Sequence, residues 1–325
     1  MINILILSAG TRNKVVRYFK KTLAGQGKVV ATDCQNIAPA IYDADKCYIV
    51  PRITSPDYID IIAEICQKEH INGILSLIDP ELELLAENRE KFEKIGVTCV
   101  VSPLEAVKMA FDKMKMFRFC ESNGIDSVKS YDDIDLFKAD LAKGKIAFPV
   151  FVKPICGSCS INIQRVEDMA MLEELWRRYD NLMIQEFMTG QEIGADVYID
   201  PLSGEVIEIF TKKKLLMRAG ETDKSVSFKD AKLFDFIENF VTKAGYKWNI
   251  DIDIFEKGDK YFVSEVNPRF GGGYPHAYEC GCDFMQLIKN NLEGKKNKPN
   301  IGSYDDDVYM MKYLDVMIKR GGEMK

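Results

Sequence analysis

The sequence predicts an α/β protein: a doubly wound parallel sheet first, then a strand-rich part of mixed α+β character. Three observations carry this. Short apolar runs alternate with helix-periodic stretches through the first hundred residues. Strand patterns dominate from about residue 190. No tandem repeat, low-complexity tract or long linker interrupts the 325 residues. Regular strand–helix alternation implies parallel pairing, because the chain must cross over the sheet between parallel neighbours.

The elements follow in order. "NILILSA" reads as a strand, and "RNKVVRYFKKTLAG" as a helix with apolar spacing near 3.6 and a glycine stop. "KVVATD" is the next strand. "DYIDIIAEICQKEH" is an amphipathic helix with His70 at its exposed end, "INGILSLI" a strand, "ELELLAENREKFEKIG" one helix, and "VTCVVS" a strand. "SPLEAVKMAFDKMKMFRFCESNG" predicts a single long helix from its Ser-Pro start. "AFPVFVKP", the helix "MAMLEELWRRY" and the strand "NLMIQEFM" come next. "QEIGADVYID", "GEVIEIFTKKK", "NIDIDIFEKG" and "KYFVSEV" are strands with turn signals at "PLSG" and "KGDK", and "AKLFDFIENFVTKAG" is a helix among them. The expected division is into three lobes, residues 1–104, 105–188 and 189–325.

Composition narrows the partners. A net charge of −6 lacks the basic footprint of a nucleic-acid binder. No apolar run approaches the roughly 18–20 residues that span a bilayer. "MINILILSAG" lacks a basic lead and runs straight into "TRNKVVRYFKK", so it reads as a strand rather than a signal peptide. Nine cysteines without an export signal suggest the reducing cytoplasm. Cys156 and Cys159 form a CxxC and Cys280 and Cys282 a CxC, but glycine loops flank them, so free thiols are expected rather than zinc or disulfides.

Three stretches carry chemistry. In "SEVNPRFGGG", Glu265 and Asn267 are two apart on a strand and share a face. Asp253 lies on the preceding strand, and "KGDK" closes a hairpin between them. Asp253, Glu265 and Asn267 then offer hard oxygen ligands of the kind Mg2+ prefers; the plainer alternative is an acidic, solvated sheet face. In "FPVFVKPICGSCSIN", Lys153 and Phe151 face away from Val150 and Val152, and a Gly/Ser-rich loop follows whose N–H groups can cradle phosphate. "LMIQEFMTGQEIGAD" runs an apolar strand into Gln185, Glu186, Phe187 and Met188. Such a stretch can offer backbone hydrogen bonds to an adenine and, in Glu192, an acceptor for ribose hydroxyls; the plainer alternative is a strand, a turn at Thr189-Gly190 and a second strand with exposed acids. "SAGTRNK" resembles a first Rossmann turn without G-x-G-x-x-G, which argues against a nicotinamide cofactor. Asp79, as a contact for a substrate amine or as a helix N-cap, and Glu81 sit past a strand end; His276, after "GGGYP", is within reach of a substrate.

Together, in this order, the motifs resemble the ATP-grasp superfamily, closest to the ATP-grasp unit of the carbamoyl phosphate synthetase large subunit and its stand-alone carboxylate–amine ligase relatives. "FDKMKM", "FPVFVKP…GSCS", "QEFMTGQEIGADV" and "DIFEKGDKYFVSEVNPRFGGG" carry the likeness across nearly the whole chain. The resemblance implies an ATP-grasp fold preceded by a Rossmann-like domain. It implies Lys113 and Lys153 at the ATP phosphates, and Ser158, Cys159 and Ser160 in the loop closing over them. Glu186, Phe187 and Met188 match the adenine hinge, Glu192 the ribose acid, and Arg269 the arginine at the transferred phosphoryl group. Asp253, Glu265 and Asn267 match the Mg2+ ligands, with Mn2+ as a substitute. Cys159 and Asn162 depart from the loop's usual glycines. Lys212, in the run 212–214, is either a phosphate contact or a solvated strand end.

The expected activity is an ATP- and Mg2+-dependent, ADP-forming ligase. Its small-molecule carboxylate becomes an acyl-phosphate and is attacked by an amine. An ATP-dependent phosphotransferase and a non-catalytic ATP-binding regulator are the alternatives. Homodimers are common among such relatives.

Overall fold

A computed structural model describes residues 1–157 and 164–325. The chain builds three sheets. The first is parallel, with strands β1 (Ile4–Leu7), β2 (Val29–Asp33), β3 (Lys46–Ile49), β4 (Gly73–Ser76) and β5 (Thr98–Cys99) in the order β3-β2-β1-β4-β5. The two-residue period of β1 divides its side chains between two cores. Ile4 and Ile6 pack with Val15, Val16 and Phe19 of the helix Asn13–Leu23. Leu5 and Leu7 pack with Ile62 and Cys66 of the helix Tyr58–Lys68. Helices on both faces are what a parallel sheet requires.

The second sheet is antiparallel and small. Its strands are β6 (Ser130–Tyr131), β7 (Val150–Pro154), β8 (Gln164–Val166) and β9 (Leu182–Glu186), in the order β6-β9-β7-β8. Val150 and Val152 bury themselves with Phe137, Leu172 and Ile184, which leaves Phe151 and Lys153 on the opposite face. The third sheet holds β10 (Gln191–Ile199), β11 (Val206–Arg218), β12 (Glu221–Ser227), β13 (Trp248–Lys257), β14 (Lys260–Asn267) and β15 (Tyr309–Met311). Their order is β14-β13-β10-β11-β12-β15, with antiparallel pairing throughout. Ile193, Ala195, Val197, Ile250, Ile252 and Ile254 point to one face and are covered by Leu233, Ile237 and Phe240 of the helix Ala231–Ala244. The alternate residues, Glu192, Asp196, Asp251 and Asp253, face the other way. The α/β fold class follows the predicted alternation.

Several elements differ from expectation. The expected long helix is two, Leu104–Phe111 and Lys113–Ser122. At Asp112 the backbone is extended (φ −98°, ψ 100°), its carboxylate caps the N–H groups of Met114 and Lys115, and it bridges to Cys156. "ELELLAENREKFEKIG" likewise breaks at Asn88 into Asp79–Glu87 and Arg89–Glu93. β12, which has no counterpart among the expected strands, reads "ETDKSVS". Its buried residues are mostly Thr, Asp and Ser, so no apolar alternation announces it.

Two consequences are measurable. A Cβ on Gly190 would lie 1.7 Å from the Glu256 carbonyl oxygen, so β10 meets β13 closely because residue 190 is glycine. Gly190→Ala is expected to lower stability by about 1–3 kcal/mol, read as a denaturation midpoint; an unchanged midpoint contradicts the close approach. Glu208 is buried, with Asn300 Nδ2 at a long 3.5 Å, and burial pushes its carboxyl up to about 7. A carboxyl raised in the folded state holds its proton longer than in the unfolded chain. Stability therefore falls as pH rises from the ordinary glutamate range to about 7. Glu208→Gln should flatten that decline in a melting series from pH 5 to 8; a parallel curve counts against it.

Candidate active site

A cleft of about 240 Å³ opens between the small sheet and the polar face of the large one. Phe151 and Lys153 of β7 and Gln185 and Glu186 of β9 line one wall; Glu192, Lys214, Asp253, Glu265 and Asn267 line the other. Across β13 and β14, Asp253 pairs with Glu265 and Asp251 with Asn267. This register depends on a bulge. Ile254 pairs with Val263 while Asp253 pairs with Glu265, so Ser264 is the extra residue. Without it the two-residue period would turn Glu265 into the core.

Asp253, Glu265 and Asn267 thus stand side by side, two carboxylates and an amide. Among the described residues no three His, Cys, Asp or Glu side chains gather as a metal cluster. The donor set nevertheless fits a hard cation. Burial first, then the carboxylates of Asp253 and Asp196, push Asp251 up to about 7, a sign of negative charge in excess on this face. Oxygen donors with surplus negative charge suit Mg2+.

Lysines stand close by. Lys153 is 5% exposed; burial lowers its pKa against the pull of Glu265. Lys113 starts its helix because Asp112 breaks the preceding one. Its N–H donates to the Ile155 carbonyl at 3.1 Å, and its Nζ donates to the Gly157 carbonyl at 2.5 Å with Glu265 at 3.5 Å. Ser158, Cys159 and Ser160, expected in the closing loop, lie outside the described residues.

Lys212 and Lys214 share a face of β11, and the structure separates them. Lys212 is buried in an ion pair with Asp196 and does not line the cleft. Lys214 does, bridging Glu192 at 2.9 Å and Asp253. Burial opposes its charge, but Asp253, Glu192 and Asp251 override burial and raise its pKa. Two-residue spacing could not tell these lysines apart.

At the expected adenine hinge, Gln185 Nε2 donates to Ser130 Oγ at 3.2 Å, and Glu186 meets Lys257 at 2.9 Å. Met188 lines the cleft. Phe187 packs on Phe151, ring centroids 5.2 Å apart, with the Arg165 guanidinium 4.7 Å over its ring.

Arg269 lines the cleft, and it is also clamped. Asp79 accepts from its Nη2 at 2.9 Å, with Nε 2.9 Å from the second carboxylate oxygen; a further bond runs to Asn267 Oδ1 at 3.2 Å. Asp79 is therefore neither an N-cap, since Ile78 holds that position, nor open to a substrate amine. No local signal links residues 79 and 269. Glu81 is buried, accepting from Tyr58 and Ser76. His276, also buried, lies between Ser225 Oγ at 2.8 Å and the Val308 carbonyl at 2.9 Å, and burial holds it neutral with its pKa down to about 4. Neither is available to a ligand. Asp33 accepts the Gly10 N–H at 2.9 Å, filling the N–H that a Rossmann turn would offer to phosphate.

The three glycines after Arg269 each give way to a charged group. A Cβ on Gly271 would lie 2.4 Å from the Asp251 carboxyl carbon, on Gly272 2.6 Å from Glu221 and 2.7 Å from Arg12, and on Gly273 2.8 Å from Lys212 Cε. The chain's own charges, rather than open space, occupy these positions.

A parallel sheet, a small antiparallel sheet and a larger one surround an acid- and lysine-lined cleft. Residues 4–100 match the family described as "PylC-like, N-terminal domain", and residues 178–314 match "ATP-grasp in the biosynthetic pathway with Ter operon". The chain is 22% identical over 272 residues to a carbamoyl-phosphate synthase of Methanobrevibacter smithii, covering 77% of this chain and 70% of that protein. It is 24% identical over 248 residues to a D-alanine–D-alanine ligase of Acetivibrio thermocellus, covering 66% of each. Its fold matches the biotin carboxylase domain dimer of Hydrogenobacter thermophilus 2-oxoglutarate carboxylase, solved with MgADP, ADP and bicarbonate. The TM-score is 0.75 at 15% identity, over 95% of this chain and 73% of that one. Residues 178–314 thus match an ATP-grasp family, and the curated relatives named here are ligases. No described helix is long and apolar enough to cross a membrane.

The clamp makes a testable claim. The Arg269 and Asp79 side chains are 9% and 10% exposed, so Asp79→Ala leaves a buried guanidinium without its main partner. The expected loss is about 3–5 kcal/mol in chemical denaturation, with part recovered in Asp79→Ala/Arg269→Leu. Equal midpoints for the single variant and the parent would show that the pair does not tie the sheets.

Proposed function

We propose that the protein is an ATP- and Mg2+-dependent, ADP-forming carboxylate–amine ligase. A carboxylate oxygen of the substrate attacks the γ-phosphorus of ATP, and the bond from that phosphorus to the bridging oxygen breaks, giving an acyl-phosphate and ADP. The amine nitrogen then attacks the acyl carbon, the C–O bond to phosphate breaks, and the nitrogen loses a proton to solvent. The single observation that carries this reading is the cross-strand set of Asp253, Glu265 and Asn267 facing Lys153 in one cleft, with Lys113 Nζ buried behind it 3.5 Å from Glu265.

Phosphoryl transfer needs positioning and charge neutralisation more than acid or base groups. Lys153 and Lys113 meet the phosphate oxygens, and Lys214 rather than Lys212 is the third lysine facing them. Arg269, fixed in direction by Asp79, stabilises charge on the transferred group. Gln185 to Met188 receive the base and Glu192 the ribose. Mg2+, with Mn2+ as a substitute, held by Asp253, Glu265 and Asn267, would supply further neutralisation of phosphate charge. ATP supply and the free state of the eight described cysteines suit the cytoplasm.

ADP release in the presence of carboxylate and amine panels tests this. Glu265→Gln and Lys153→Ala should each lower it by about 100-fold or more while the fold persists by circular dichroism. Turnover at the parent rate in either variant would remove the assignment. ADP release that proceeds equally without any amine would turn the reading into simple phosphotransfer.

A further inference from the structure

One wall of the cleft is left unused by this chemistry. Arg12 sits just before the first helix of the parallel sheet, and Glu221 begins β12 on the large sheet. Arg12 Nη2 and Glu221 Oε1 are 2.8 Å apart, and both residues line the cleft with Thr222, Gly272 and Arg269. Lys312 Nζ lies 2.9 Å from the other oxygen of Glu221. Two cations thus share one carboxylate, and this set of three carries net positive charge. Burial works against ionised Glu221, but Arg12, Lys312 and Arg269 hold its carboxyl below the usual range, so it is an anion at neutral pH.

The other cations near the cleft are more deeply held. Arg269 is clamped by Asp79, Lys212 is buried with Asp196, and Lys214 is 4% exposed between Glu192 and Asp253. The Arg12 side chain is 21% exposed and Glu221 39%, so this pair is more open to the cleft than those. If Arg12 turns from Glu221 to a ligand, Lys312 still covers the acid. Gly272 lets the guanidinium lie flat on the loop, since a Cβ there would meet Nη1 at 2.7 Å.

We propose that Arg12 is a specificity-determining residue that anchors a compact oxyanion, carboxylate or phosphate, on the amine substrate, an anionic group other than the one that reacts. A planar guanidinium accepts such a group on two parallel N–H bonds. Glu221 is the partner that Arg12 exchanges for it. The inference rests on the ligase reading above.

The test measures ADP release by the full chain, with the carboxylate panel present, for matched amines. Glycine is set against glycinamide, β-alanine against its amide, and phosphoethanolamine against ethanolamine. The anionic member should show a KM at least 10-fold lower than its uncharged partner. The carboxylate and phosphate arms show which oxyanion is preferred. Arg12→Gln should bring that ratio near one, and Arg12→Lys should restore part of it. The exchange variant Arg12→Glu/Glu221→Arg keeps a tie between the sheets, so a merely structural role predicts that it recovers the parent ratio. Recognition predicts that it does not. Equal use of acid and amide, no stimulation by any anionic amine, or a ratio unchanged in Arg12→Gln each overturns the proposal. MgADP binding, followed by calorimetry, separates this from the parent reading. Nucleotide binding without an oxyanion preference removes only the Arg12 assignment, whereas absent nucleotide binding removes the ligase reading itself.

Discussion

Everything in the cleft depends on one constraint: charge that leaves water must be compensated where it lies. The polar face of the large sheet carries Asp196, Asp251 and Asp253 with Glu192 beside them, and β14 adds Glu265. Lys212 and Lys214 are threaded into this layer, one closing on Asp196 and the other on Glu192 and Asp253. The balance is incomplete. Asp251 keeps its proton up to about 7 because burial denies it water and the carboxylates of Asp253 and Asp196 stand beside it. A sheet face built only for stability would not gather acids until one of them resists ionising. In the proposed ligase, Mg2+ would supply the positive charge that this face lacks.

That layer also dictates the backbone above it. Gly271, Gly272 and Gly273 lie against Asp251, against Glu221 with Arg12, and against Lys212, each closer than a Cβ permits. The loop is glycine because the charges beneath it need to approach main chain. Arg269, one residue before Phe270, is gripped by Asp79 at the start of the helix Asp79–Glu87. The same short segment therefore closes the acid layer, borders the cleft and joins two sheets.

The fold was legible where periodicity is strong. Ile4 to Leu7 divide between two cores as alternation requires, and Val150 and Val152 bury where Phe151 and Lys153 do not. Asp253, Glu265 and Asn267 could be grouped from spacing and a hairpin turn. The bulge at Ser264 that makes the grouping work has no sequence signature of its own. β12 hid because its inward residues are polar and are satisfied by distant partners: Ser225 by His276, Ser227 by the Asp305 carbonyl. At Asp112 two features meet that periodicity does not show: its side chain caps Met114 and Lys115, and its backbone bridges to Cys156. Asp79 with Arg269 and Arg12 with Glu221 join residues far apart in the chain, and no local pattern could reveal either.

These misses share a cause, and it says where function is encoded. Local pattern reports what is buried from water, because burial is written as apolar periodicity. It does not report which charged group faces which, because that depends on how the sheets are set against each other. In "SEVNPRFGGG" both kinds of information meet. Val263 and Val266 are core residues, and they place Glu265 and Asn267 on the cleft by alternation around one bulge. Arg269 and the glycines answer instead to Asp79, Asp251, Glu221, Arg12 and Lys212, contributed by both the parallel sheet and the large sheet. The first half of the segment is specified by its own strand. The second half is specified by the assembled cleft, so the contacts there that distinguish one ligand from another can be read only once the sheets are together.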